Sequence, residues 1–182
     1  SYNDEKYLDF GLELLKKIIT SSFDTEYFPK SRNIRQLVFY LKFFIILREF
    51  LKESSNEIPG YLDEIIFHLG KGYNFVWGSV KQSLLFNGNH NSNLEDFDTY
   101  LDYQKYSFKS EKRDLGGYGI LKNKHVILGM DIGSPPESKF SENYQSGPLS
   151  FEAIYRGTKI ICNSGYYQNI KNKLNLISRS TA

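Results

Sequence analysis

The sequence predicts an α+β protein, helical in its first part and antiparallel β in its second. Two observations carry this. Up to about residue 78 apolar residues recur at the three-and-four spacing of amphipathic helices. From Gly117 onward short apolar, β-branched runs flank turn dipeptides instead. With 182 residues, 40% of them hydrophobic and 16% aromatic, the chain has enough apolar material for one or two packed domains.

The first helix is predicted over Asp4 to Ile19, where apolar residues recur at Tyr7, Leu8, Gly11, Leu12, Leu14, Leu15, Ile18 and Ile19. After the polar stretch around Tyr27 and Pro29, Ser31 to Leu51 reads as a second helix. Its charges Arg35, Lys42 and Glu49 are spaced by seven and line a narrow seam, so the helix is expected to pack on more than one side. The segment "ESSNEIPG" breaks the helix, and a third is predicted from Tyr61 to about Gly78, a fourth over Asn93 to Gln104. "YGILKNKHVILGMD" then reads as a hairpin around Asn123-Lys124, because Asn tolerates the positive φ of tight turns. Leu149–Tyr155 and Thr158–Cys162 form a second hairpin around Arg156-Gly157, and three prolines keep the intervening loop irregular. Two hairpins are too few strands for a stable sandwich, and the chain stops at "NLISRSTA" without a turn signal, so a fragment of a longer protein is expected.

Composition excludes several functions. The net charge of +2 comes from 23 basic and 21 acidic residues scattered along the chain, which is not the footprint of a nucleic-acid binder. The most apolar run, Leu37 to Leu47, is broken by Lys42 and falls short of the ~20 residues a membrane span needs. The polar start "SYNDEK" lacks a signal-peptide pattern, so a targeting segment is expected to be either removed or absent. A single cysteine, Cys162, rules out a disulfide framework and reads as a small buried hydrophobe inside a strand. His68, His90 and His125 have no partner at metal-ligand spacing, so neither a metal nor a cofactor is expected.

No nucleophile elbow, P-loop or dinucleotide fingerprint is present. What remains are loops at 87–93, 141–147 and 163–169, rich in Asn, Gln, Tyr, Ser and Gly. Such loops suit sugar hydroxyls and stacking, or they simply build turns. Asn87 and His90 in "FNGNHNSN" are the most site-like of these residues, the other reading of His90 being a solvated loop histidine. Arg32 and Asn33 are read in two ways, as contacts for an acidic sugar or as a helix start with Ser31 as N-cap.

The order "FPKSRN", "SLLFNG", "GGYGILKNKHVILGMDIGSPP", "YQSGPLSFEAIYRGTKIICNSG" and "RSTA" resembles the heparinase II/III-like family. The resemblance implies an α/α toroid joined to an antiparallel β-sandwich. Residues 1–82 would be the toroid's end and 83–182 the start of an incomplete sandwich. It also implies a polysaccharide lyase that cleaves an acidic polysaccharide by β-elimination, in the periplasm or cell envelope. Gln145 stands where many members carry a His shortly before "LSFE", and Gln36 and Leu37 stand where others carry Tyr-His. The site residues implied are Tyr144 and Gln145 for catalysis, with Arg32, Asn33, Asn87 and His90 for substrate; Tyr27 is a further candidate acid or base. Because an amide cannot transfer a proton as a base does, the same residues also admit a non-catalytic carbohydrate-binding or envelope protein on that scaffold.

Overall fold

The computed structural model describes residues 5–78, 80–145 and 147–165. Four helices precede one antiparallel sheet. Helix α1 spans Glu5–Ser22, α2 Ile34–Glu53, α3 Gly60–Tyr73 and α4 Glu95–Tyr103. Leu15 and Ile19 of α1 are buried, as their spacing predicts, and Leu8 and Leu12 pack partly against the core, whereas Tyr7 and Leu14 of the same apolar set are exposed. In α2, Leu37, Leu41, Phe44 and Ile45 are buried, whereas Phe39, Phe43, Ile46 and Phe50 are exposed among the described residues. The expectation of packing on more than one side is met on one side only.

The third predicted helix is two pieces. Regular α3 gives way at Asn74 to a single π-helical turn, Asn74–Gly78, which carries the buried Phe75, Val76 and Trp77. A wider turn of this kind resets which side chains face inward, and it commonly lies beside functional sites. Asp98 of α4 ties the pieces together: it accepts hydrogen bonds from the Tyr73 hydroxyl at 2.6 Å, the Trp77 indole at 2.9 Å and the Lys81 ammonium at 2.6 Å.

The sheet contains β1 (Asp114–Leu115), β2 (Tyr118–Lys122), β3 (Val126–Asp131), β4 (Phe151–Tyr155) and β5 (Thr158–Ile161), in that spatial order. Both predicted hairpins are present, and β3 pairs with β4, so they form one meander. At the second hairpin Arg156 and Gly157 have φ of 49° and 80°, the left-handed pair that a two-residue turn requires. Leu149 lies outside β4 at φ 66°, and Cys162 follows β5 and is exposed. The reading of Cys162 as a buried strand residue is therefore corrected: the strand ends one residue earlier.

Alternation along the strands places Tyr118, Ile120, Gly129, Asp131, Glu152 and Ile154 on the buried face. Leu121, Phe151 and Tyr155 face outward. Phe86 stacks on Tyr118 with ring centroids 5.5 Å apart, so the segment after α3 runs under the sheet and joins it to the helices. The "RSTA" motif and the two tyrosines after "NSG" lie outside the described residues.

Candidate functional site

The helices and the sheet meet at a buried polar junction built around Arg32. This residue ends the "FPKS" turn at φ 56°, a left-handed conformation that is costly for a large side chain. That turn aims the guanidinium at the sheet. There it donates to the carbonyls of Gly116, Gly117, Gly133 and Ser134 and pairs with the Asp131 carboxylate. Five hydrogen bonds occupy its planar fork, so the structure gives Arg32 an internal role in place of the sugar contact read from sequence. Gly117, at φ 79°, permits this: a Cβ there would lie 2.6 Å from Arg32 Nε.

Asp131 is buried at the end of β3 and also accepts from Asn87 Nδ2 at 3.0 Å. Asn87 donates to the Tyr118 hydroxyl at 2.7 Å, and that hydroxyl in turn donates to the Arg32 carbonyl. Burial pushes the Tyr118 phenol well above its ordinary value. Asn87 too has a positive φ, 45°, next to Gly88 at 81°, so two consecutive left-handed residues turn the chain beneath the sheet.

Asn33, not Ser31, is the N-cap of α2. Its Oδ1 accepts from the Arg35 and Gln36 amides at 2.9 and 3.3 Å, while the Ser31 hydroxyl bonds Gln36 Oε1. The amide is thereby held with Nδ2 turned inward, buried and without a partner among the described residues. Replacing Asn33 by Ala is expected to cost about 1 kcal/mol of stability through the lost cap, read from a urea unfolding midpoint; Asn33→Asp should retain most of it.

Gln145 is also buried. Its Oε1 accepts from the Gly88 amide at 3.4 Å and its Nε2 donates to the Gly165 carbonyl at 2.7 Å, so it stitches two loops together. Tyr144 beside it is half-buried with its phenol close to the Arg32–Asp131 pair. Burial first, then Asp131, raises its pKa, which Arg32 partly opposes. Tyr27 lies elsewhere, stacked on His68 at 4.4 Å and donating to Glu64 at 2.7 Å.

Beyond the capped end of α2 lies a groove of about 330 Å³. Arg35, Phe39 and Lys42 form one wall; Trp77 from the π-helical turn and His90 from the turn after Gly88 form the other. None of its lining residues is Asp or Glu. Burial, and then the Arg35 guanidinium, hold the His90 imidazole below its ordinary value, so it is neutral near pH 7. Its Nδ1 has no hydrogen-bond partner among the described residues.

Of the residues predicted from sequence, Arg32, Asn33, Asn87, Tyr144 and Gln145 come together at the junction, and His90 lies three residues past Asn87 in the adjoining groove. Asp131 and Tyr118, the centre of the junction, were missed; so were Arg35, Lys42 and Trp77. The seam of Arg35 and Lys42 was the signal in the sequence for the cationic wall.

The sequence of residues 108–182 matches the family profile described as Heparinase II/III-like, C-terminal. Over these residues, less than half of the chain, the sequence is similar to that family. The heparinase II/III-like resemblance read from "MDIGSPP" and "SGPLSFE" falls within it. No curated protein matches the chain. Among solved structures, one described as heparinase III aligns over 99% of this chain and 34% of its own, at 14% identity and a TM-score of 0.75. Another, described as heparan sulfate lyase HepC from Pedobacter heparinus, aligns over 96% of this chain and 31% of its own, at 11% identity and a TM-score of 0.74. At such identities the likeness is one of fold, and it confirms the α+β class. The chain spans about a third of the length of these heparinase-like structures.

Proposed function

We propose that this chain is part of a polysaccharide lyase that acts on an acidic polysaccharide by β-elimination, with the groove beside His90 receiving the uronate. The observation that carries this reading is the groove's lining, in which Arg35, Lys42 and a neutral imidazole converge without a carboxylate. Elimination needs a cation to neutralise the uronate carboxylate, a base for the adjacent C–H and an acid for the leaving oxygen. Arg35 and Lys42 suit the first task and neutral His90 the second. Tyr144, whose phenol stays protonated, suits the third. Arg32, Asn33, Asn87 and Gln145 then serve by holding the loops in place. The solved structures named heparinase III and heparan sulfate lyase support an acidic polymeric substrate.

On this reading residues 1–82 close an α/α toroid and 83–182 open a β-sandwich, in a protein of the periplasm or cell envelope. Full-length protein should generate unsaturated uronic ends, read as ultraviolet absorbance, from at least one member of a panel of acidic glycans. His90→Ala should lower the rate roughly 10²-fold or more. Absence of product across the panel would sink the lyase reading.

One observation favours a second reading, a glycan-binding protein without turnover. Gln145, an amide where the family resemblance implies a His, has both ends bonded to backbone groups. Saturable binding with no product would establish it.

A further inference from the structure

His90 lines the same groove as two cations of α2: Arg35, whose charge acts on the imidazole, and Lys42, whose ammonium lies 4.7 Å over the Phe97 ring. The other polar lining residues, Ser83, Asn89, Ser92 and Asn93, carry no charge. No protein group bonds His90 Nδ1 among the described residues, so no hydrogen bond at that nitrogen fixes the protonation state of the ring. Resting on the reading of the groove as an acidic-saccharide site, we propose that it binds an anionic group, a carboxylate or a sulfate ester, with uptake of one proton at His90.

Two sets of charges compete for that proton. In the protein alone, burial and Arg35 both disfavour the imidazolium. An anion seated between Arg35 and Lys42 cancels the nearby positive charge and adds an attraction for a protonated ring. The bound state therefore holds the proton more tightly than the free state. By linkage, affinity is flat at high pH, rises as pH falls through the interval between the bound and free pKa values, and levels off below it. A ring that has taken up this proton cannot also remove one from the substrate, so elimination proceeds only from the fraction of the complex in which His90 is neutral.

The test is calorimetric titration of full-length protein with two uronate oligosaccharides of equal length, one unsulfated and one sulfated. Titrations at one pH in Bis-Tris and in Tris, neither of which is an anion, read proton uptake from the difference in apparent enthalpy. Titrations between about pH 5 and 8 read the affinity change, expected to be roughly tenfold tighter at the acid end for each unit by which the pKa rises. Which oligosaccharide shows the uptake identifies the anion as carboxylate or sulfate. His90→Gln, which breaks no hydrogen bond at Nδ1, should bind with no proton uptake and a flat pH profile. Arg35→Gln should bind more weakly and with a smaller uptake, since it removes one cause of the depressed pKa. Binding of the wild type without proton uptake, or uptake unchanged in His90→Gln, would overturn the proposal and leave the glycan reading standing. Failure of both oligosaccharides to bind at any pH would overturn the glycan reading itself.

Discussion

Asp131→Ala is expected to destabilise the protein by about 3–5 kcal/mol, because it leaves the Arg32 guanidinium buried with no counter-charge. Arg32 would keep its four backbone carbonyls, which solvate the charge only in part. Asn87 and Tyr118 would lose their alignment as well, since Asn87 bridges the carboxylate and the phenol. Urea unfolding measures the effect. Arg32→Met combined with Asp131→Leu removes both charges and should be much closer to wild type than either single change, by the logic of a double-mutant cycle. A loss below about 1 kcal/mol for Asp131→Ala would mean that the pair does not hold the junction.

Phe28→Ala should cost about 3–5 kcal/mol by opening a cavity where the helices meet the sheet. Phe28 is 1% exposed, meets the Tyr118 ring edge-on at 6.0 Å, and leaves no room for a side chain at Gly116. Because the same ring supports Tyr118 and so the Arg32–Asn87–Asp131 network, Phe28→Ala and Asp131→Ala should not add: their sum should exceed the double mutant by more than about 0.5 kcal/mol. Strict additivity would show that the apolar pin and the ionic latch act separately.

Much of the secondary structure was legible in the sequence because it depends on local rules. The apolar spacing around Leu37, Leu41 and Ile45 placed α2, and Arg156-Gly157 placed the second turn; Asn123 marked the first, but through its side chain accepting from the His125 and Val126 amides and not through a positive φ. The errors were also local. Ser31 has the chemistry of an N-cap, but the left-handed turn at Arg32 starts the helix at Ile34 and hands the cap to Asn33. The π-helical turn after Tyr73 left no sign in the spacing, since one wide turn barely alters a hydrophobic period.

The candidate site was legible only in part. Asn87 and His90 were visible as an unusual loop, whereas Arg35 and Lys42 were read, with Glu49, only as a seam that sets how α2 packs. That Arg32 points inward could not be read, because its partner Asp131 lies 99 positions away and looked like an ordinary strand end. Gln145 was conspicuous for the family position that it occupies. Its engagement with Gly88 and Gly165 depends on two loops brought together by the tertiary fold.

The Arg32–Asp131 pair also bears on how the chain is born. Its partners are 99 residues apart, so during synthesis α1 to α4 emerge before the strand end that anchors them exists. Until β3 leaves the ribosome, the Arg32 side chain must stay hydrated and the turn that carries it unlocked, and closing so long a loop is slow. The latch between helices and sheet can therefore close only once β3 has been made.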